Sequence, residues 1–232
     1  MNETHAGATD APAQTGMLHG LEFGRSDLLF GLGSAALVAI TMANDEDLQQ
    51  HVVDADPPDW ELFGSPAFLA PAALVLWATG KLTHHDALTA STTRGAIAVT
   101  TAGIVTVGLK EVCGRSRPRE TGDPYQFDPF SGHDSFPSGH TTLAFATATA
   151  LDRETGSMWV PIVAYPTAAL VGWSRVADRE HWTSDVVAGA AIGYWVANKA
   201  EDVLRAKGVG GPVRVAWTPG PGIGRAMVAL RF

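Results

Sequence analysis

The sequence contains a single cysteine, Cys113, among its 232 residues. A lone thiol cannot form an intrachain disulfide, and it excludes both a multi-cysteine zinc site and a Cys-x-x-Cys redox site. We interpret Cys113 as a small hydrophobic residue of the interior. We therefore expect no part of the chemistry to depend on sulfur.

Positive charge is also scarce. The chain has 16 lysines and arginines against 24 aspartates and glutamates, so its formal charge is -8. An acidic protein of this kind is unsuited to general binding of nucleic acid, and we expect no nucleic-acid partner. A cluster of basic residues nevertheless lies within 110–185, which indicates a specific anion site.

Long apolar runs are absent as well. The apolar segments have about 11–17 residues each, whereas a perpendicular membrane helix needs roughly 20. They are separated by polar or Pro/Gly-containing connections, without the strand–helix alternation of a parallel sheet. The segments are 28–43, 66–79, 95–109, 141–151, 158–173 and 185–197. We predict an all-α bundle of about six main helices over residues 21–208.

The remaining stretches are polar or interrupted by proline and glycine. Residues 1–20 lack Lys, Arg and apolar periodicity, which predicts a disordered tail. Two short apolar runs around a Pro/Gly turn predict a β-hairpin over 209–232. Of the two long connections, Asn44 to Trp60 is acidic, and Ser116 to Phe136 is interpreted as a loop that covers a site.

Three clusters within 110–185 supply the groups that phosphoryl transfer needs. They are Lys110-x6-Arg117-Pro118, Pro137-Ser138-Gly139-His140 and Ser174-Arg175-x5-His181-x3-Asp185. Lys110, Arg117 and Arg175 offer three cations to an anionic phosphate without a metal. Arginine presents a planar fork to two oxygens and lysine a compact charge. The alternative is ordinary surface basicity, which the shared position beside apolar segments disfavours.

The second and third clusters each mark the start of a predicted helix. Ser138 is a candidate N-cap, free amides at a helix start bind phosphate, and Gly139 allows close backbone approach. His181 and Asp185 are four residues apart and share one helical face. A carboxylate bound to one imidazole nitrogen fixes the tautomer and exposes the other nitrogen as a nucleophile. A plain helix cap at Ser138, and a capping-region acid at Asp185, remain the alternatives.

Together the three motifs resemble the type 2 phosphatidic acid phosphatase family, whose superfamily includes bacterial acid phosphatases and vanadium haloperoxidases. The resemblance covers about a third of the chain. It implies that His181 attacks phosphorus to give a phosphohistidine and that Asp185 orients it. It also implies that His140 protonates the leaving oxygen and then activates water. Phosphate binding is assigned to Lys110, Arg117, Ser138, Gly139 and Arg175, with no metal and no cofactor.

The function expected from these residues is metal-independent hydrolysis of a phosphate monoester or pyrophosphate, carried by a phosphorylated lipid. One alternative is a soluble non-specific acid phosphatase that acts on small phosphate esters, and a vanadate-dependent haloperoxidase is a more distant one. A membrane protein that binds lipid through a decayed site is the non-enzymatic alternative. The complete motif set argues against decay. The oligomeric state stays open.

The distribution of charge bears on the membrane. If the helices alternate in direction, one end collects Arg25, Lys81, Arg94, Arg153, Lys199, Arg205 and Lys207. The positive-inside rule then places the motifs on the outer face of a bacterial-type inner membrane, toward the periplasm. A soluble periplasmic protein is the alternative, favoured by the mean hydropathy of +0.07. Residues 28–40 also fit a signal-peptide core, although a retained anchor helix explains them equally.

The other histidines carry weaker signals. The run His84-His85-Asp86 places two adjacent potential ligands on a predicted turn, and we interpret it as a solvated loop rather than a metal site. His133 lies seven residues before His140. It either lines the predicted phosphate-binding pocket or has no role.

Overall fold

The computed structural model describes residues 23–52 and 59–209, together with the backbone of two short strands nearer the C-terminus. Seven α-helices form the described helical part, which confirms the all-α prediction. They are α1 (Arg25–Met42), α2 (Asp45–Val52), α3 (Pro66–Leu82), α4 (Asp86–Cys113), α5 (Gly139–Thr155), α6 (Trp159–Ala177) and α7 (Thr183–Ala206). A 3-10 helix, Trp60–Gly64, precedes α3. The six predicted segments correspond to α1 and to α3 through α7.

The helix α2 was not predicted, because it lies in the acidic connection that was interpreted as a break. Its first turn carries Asp45, Glu46 and Asp47, and negative charge there is stabilised by the helix dipole. Gln49 is buried and its side-chain amide donates to the carbonyl of Val176, 2.8 Å away. Tertiary contacts of polar residues therefore hold α2 in place.

Glycines bring neighbouring helices close together. At the turn between α3 and α4, a Cβ on Gly80 would lie 2.5 Å from Thr89 Oγ1. Between α5 and α7, a Cβ on Gly193 would lie 2.3 Å from the carbonyl oxygen of Thr142. Contacts this short exclude any side chain. The six long helices alternate in direction, so that the C-terminal end of α4 meets the N-terminal ends of α5 and α7.

Alanines make up much of the interior, and many large apolar residues are exposed. Ala98, Ala102, Ala146 and Ala197 are fully buried at the centre of one core cluster. The helix α1 has no buried residue at all. Prominent outward-facing side chains are Leu29, Leu74, Val75, Trp159, Ile162 and Val163. Two helices, α1 and α4, are long and apolar enough to cross a membrane. Exposed apolar surface of this extent is typical of faces that contact lipid or another protein.

Two five-residue strands, β1 (Arg214–Thr218) and β2 (Arg225–Ala229), pair antiparallel near the C-terminus. The side chains beyond Val209 lie outside the described residues. The prediction that residues 209–232 form a hairpin appendage to the helices therefore stays a prediction. The confirmed architecture is the helical part. The tail predicted over 1–20 also lies outside the described residues.

Candidate active site

Residues of all three motifs meet in one cavity of 760 Å³. Its polar end is lined by Lys110, Arg117, Asp134, Gly139, His140 and His181. Lys110 lies in the last turn of α4, which ends at Gly114 in the left-handed conformation. A Cβ on Gly139 would lie 3.7 Å from Lys110 Cε, so the start of α5 faces this lysine. The fold thus brings residues far apart in sequence to one end of the bundle.

His181 lies in the short connection between α6 and α7 and is only 2% exposed. Its backbone N–H donates to the carbonyl of Arg175 at 3.1 Å. Its Nδ1 lies 3.6 Å from Asp185 Oδ2, an electrostatic contact slightly longer than a hydrogen bond. Burial lowers the pKa of His181 to about 4, although Asp185 acts in the opposite direction. The imidazole is therefore neutral near pH 7, as a nucleophile must be.

The carboxylate of Asp185 is fully buried and held on both sides. Its Oδ1 accepts from Arg115 Nη1 at 2.5 Å. Its Oδ2 accepts from Ser135 Oγ at 2.6 Å and from the backbone N–H of Trp182 at 2.9 Å. Sequence reasoning identified the carboxylate but missed Arg115 and Ser135. The only local signal for Arg115 is its place within the first motif.

Asp134 contacts two of the three cations that were predicted to bind phosphate. Arg117 donates from Nε to Asp134 Oδ1 and from Nη2 to Asp134 Oδ2, both at 2.9 Å, and it also pairs with Glu180. Lys110 donates to the backbone carbonyl of Asp134. Burial alone would raise the pKa of Asp134, but the charges of Lys110 and Arg117 lower it below its ordinary value. An ionised carboxylate therefore sits where phosphate oxygens would compete for the same donors.

Two predicted phosphate-binding residues do not line the cavity. Arg175 is 6% exposed and pairs with Glu61 and with Asp178, the latter at 3.2 Å. Ser138 holds the N-cap position of α5, but its side chain does not cap the helix. Its hydroxyl instead accepts from Thr141 Oγ1 at 2.9 Å, and its backbone N–H donates to the carbonyl of Asp185 at 3.0 Å.

The remaining histidines have other partners. His85 Nδ1 accepts from the backbone N–H of Leu88 at 3.1 Å and so caps α4. His133 Nδ1 lies 3.4 Å from Glu120 Oε2. Neither histidine lines the cavity. Over 23–52 and 59–209, no group of three or more His, Cys, Asp or Glu is arranged to hold a metal ion.

Comparison with known proteins finds similarity over the part of the chain that carries the three motifs. The profile described as the PAP2 superfamily matches residues 93–200, which contain all three motifs. The chain is 38% identical over 105 residues to a lipid A 1-phosphatase of Porphyromonas gingivalis, an alignment that covers 41% of this chain and 21% of that protein. It is 34% identical over 149 residues to a lipid A 1-phosphatase of Rhizobium etli, covering 57% and 63% respectively. The chain thus spans less than two thirds of these curated relatives.

The fold is similar to that of a transmembrane PAP2 type phosphatidylglycerolphosphate phosphatase from Bacillus subtilis. The TM-score is 0.58 with 22% identity, and the match covers 75% of this chain and 92% of the other. Identity this low supports the shared helical fold alone. The chain is thus similar to the PAP2 superfamily over 93–200, the part that carries the motifs, and its helical fold is similar to that of a solved PAP2 type phosphatase.

Proposed function

We propose that this protein is a metal-independent phosphatase that removes the terminal phosphate of a phosphorylated lipid through a phosphohistidine intermediate. The observation that carries the proposal is the shape of the cavity. Its cationic end holds the motif residues, and the rest of it is an apolar groove. A ligand with an anionic head and a hydrocarbon tail matches both parts.

The apolar part of the cavity runs between α3 and α4 and is closed on one side by α5. Its walls include Leu69, Val99, Gly103, Ile104 and Leu143. Along α4 the lining extends from Lys110 back to Ala96, which is roughly 21 Å at the rise of an α-helix. That length accommodates much of a hydrocarbon tail while the phosphate stays beside the cations.

The chemistry proceeds in two displacements. In the first, the unprotonated nitrogen of His181 attacks phosphorus, the ester P–O bond breaks, and His140, in its imidazolium form, donates a proton to the leaving oxygen. Burial and the charges of Lys110 and Arg117 lower the pKa of His140, and the negative charge of a bound phosphate acts in the opposite direction. In the second, His140 takes a proton from water, whose oxygen displaces His181 and releases inorganic phosphate. Lys110 and Arg117 stabilise the charge on the transferring group in both steps. Asp185 holds the His181 ring and stabilises the positive charge that develops on it.

We also propose that the helices span a membrane, with the catalytic end outward. The large apolar side chains on the outer surface, and α1 with no buried residue, support embedding. The seven basic residues named above lie at the end opposite the motifs, which supports a periplasmic site. A soluble periplasmic phosphatase would keep the same catalytic residues.

Orientation is tested by single cysteines in a Cys113→Ser background. Gln50 is exposed on α2 at the catalytic end, and Lys81 is exposed in the last turn of α3 at the other end. An impermeant thiol reagent on intact cells should label Gln50→Cys and not Lys81→Cys. The reverse pattern refutes the orientation, and recovery in the soluble fraction without detergent refutes embedding.

The lipid function is tested with substrates that carry a terminal phosphate but differ in the tail. Phosphate release is measured in detergent micelles from phosphatidate, phosphatidylglycerol phosphate, lipid A and polyprenyl pyrophosphate, and from p-nitrophenyl phosphate as the tail-free ester. Gly103→Leu fills the groove, because even a Cβ there would lie 3.3 Å from Leu143 Cδ2. Gly108→Leu is the matched control, because nothing lies within 4 Å of a Cβ at that position.

We expect Gly103→Leu to lower kcat/KM about tenfold or more for the accepted lipid, the scale of a misfit in an apolar pocket. Turnover of p-nitrophenyl phosphate should stay unchanged, and Gly108→Leu should match wild type on both substrates. An equal loss on both substrates would show that the groove does not hold the tail. Absence of phosphate release by wild type from every substrate would refute the proposed function.

A further inference from the structure

A fully buried arginine lies behind the nucleophile and outside the cavity lining. Arg115 has no exposed surface and follows the helix end at Gly114. Its guanidinium lies 5.2 Å from the ring centre of Phe127 and 5.5 Å from that of Trp182. Charges are rarely placed among aromatic rings without compensation. The position therefore requires fixed partners, and the structure supplies them.

Every donor of this guanidinium is used. Nε and Nη2 donate to the carbonyl of Pro124 at 2.9 and 2.6 Å. Nη1 donates to Ser184 Oγ at 2.7 Å and to Asp185 Oδ1 at 2.5 Å. Nη2 also donates to Asp45 Oδ2 at 2.8 Å. A planar fork bound at all its edges has one orientation, so Arg115 fixes one face of the Asp185 carboxylate.

Asp45 closes the arrangement from the unpredicted helix α2. It is 1% exposed. Its Oδ1 accepts from the backbone N–H of Ser184 at 2.9 Å, and its Oδ2 accepts from Ser184 Oγ at 2.5 Å. Ser184 lies in the first turn of α7, one residue before Asp185. Asp45 therefore anchors both Arg115 and the helix start that carries the catalytic carboxylate.

We propose that Arg115 and Asp45 are positioning residues that set the orientation and charge of Asp185, and through it the ring of His181. This inference rests on the proposed phosphatase function. Arg115 keeps Asp185 ionised, because a buried carboxylate without a cation beside it takes up a proton. The other oxygen, Oδ2, then lies 3.6 Å from Nδ1 of His181. Neither Arg115 nor Asp45 lines the cavity, so both act on the chemical step and not on substrate binding.

The test separates kcat from KM. Arg115→Lys keeps the charge but loses the fork, and we expect kcat to fall about a hundredfold, as for a small misplacement of a catalytic group. KM should stay within about threefold of wild type. Asp45→Asn keeps the size of the side chain and is expected to lower kcat about tenfold. Arg94→Lys is the matched control, an arginine paired with Glu154 at the other end of the bundle, and should leave kcat unchanged.

A double-mutant cycle with Asp185→Asn decides whether Arg115 acts through Asp185. If it does, Arg115→Lys lowers kcat little further once Asp185 has been replaced. Losses that multiply, or a rise in KM with kcat unchanged, would overturn the positioning role. An inactive wild type would instead refute the function on which the inference rests, whereas an active wild type with multiplying losses refutes only the inference.

A second readout does not depend on turnover. In histidine labelled with 15N, the ring shifts report which nitrogen of His181 carries the proton. Wild type should show the proton on Nδ1, which faces Asp185, and both Arg115→Lys and Asp45→Asn should shift the ring toward a mixture of tautomers. Spectra identical to wild type in a folded variant would contradict the inference. If Arg115→Lys does not fold, the kinetic measurements and the 15N spectra are both made on Asp45→Asn.

Discussion

Both ends of the helical bundle gather arginines and carboxylates, and at one end some of them line the cavity described above. At the end away from the motifs, Glu154 accepts from Arg94 at 2.5 Å and from Arg205 at 2.6 Å. Glu201, fully buried, pairs with Arg205 at 3.3 Å. None of these four residues lines the cavity that holds the motif residues. They connect α4, α5 and α7 to one another.

At the end that carries the motifs, some ion pairs lie behind the cavity and others border it. Arg115 pairs with carboxylates behind the site, while Lys110 and Arg117 border the open space and contact Asp134. Arginines and carboxylates therefore connect helices at one end, whereas at the other end some of them border a cavity. What distinguishes a binding cation from a structural one in this fold is access to a space that a ligand can enter.

The largest expected difference between the ends concerns His181, the proposed nucleophile. His181→Ala should lower turnover by about 10⁴-fold or more, because removing a nucleophile leaves only binding and charge stabilisation. Glu201→Gln, at the other end, should stay within about threefold of wild type, since it touches no reacting group. Phosphate release measures both, and rapid quench with labelled substrate should trap an acid-labile phosphoenzyme in wild type only. A folded His181→Ala protein with normal activity would remove the phosphohistidine mechanism.

The next difference concerns the arginines. Arg117→Ala should lower kcat about 10²-fold, the usual loss when one group that stabilises transition-state charge is removed. Arg205→Ala should change kcat by less than about twofold, because its partner is Glu154. Thermal unfolding of both variants checks that each is folded. Equal losses at the two ends would show that proximity to the cavity does not determine the role of an arginine.

A smaller effect is expected from acid. His181 has a pKa of about 4 in the folded protein and about 6.5 when unfolded. Since the folded state favours the neutral ring, the stability it contributes is complete above pH 6.5 and is lost as pH falls toward 4. The loss is on the order of a few kcal/mol. Thermal unfolding between pH 7 and pH 4.5 should therefore depend less on pH in His181→Gln than in wild type; parallel profiles would contradict this origin.

The apolar pattern and the motif spacing predict much of this molecule, but not the residues that hold the Asp185 carboxylate from behind. Six helices follow from apolar segments, whereas α2 has only Leu48 and Val52 as apolar residues and gives no periodic signal. Its place in the fold comes from polar contacts across the chain. Such contacts have no local pattern from which they could be predicted.

The same reason explains which site residues were missed. The motifs identify residues whose type and spacing suit phosphate chemistry, and the cavity brings His140 and His181 together with Lys110. Arg115 and Asp45 are 70 residues apart and meet only after the bundle has formed. Asp134 lies in the loop that was expected to cover the site, but a single carboxylate in a loop carries no signal of its partners.

The smallest expected effect is that of metal removal, and it tests why the catalytic end needs its exposed cations. Lys110 and Arg117 border the cavity, and within the described parts of the chain no cluster of three acidic, histidine or cysteine ligands is found. If these cations alone stabilise the transferring phosphoryl group, exhaustive chelation should change kcat by less than about twofold. Vanadate, which can occupy the phosphate position, should inhibit competitively, and Arg117→Ala should weaken that inhibition while Arg205→Ala does not.

A zinc-dependent phosphatase treated in parallel confirms that chelation was complete. Loss of activity on chelation, restored by one divalent metal, would count against the cation-only mechanism.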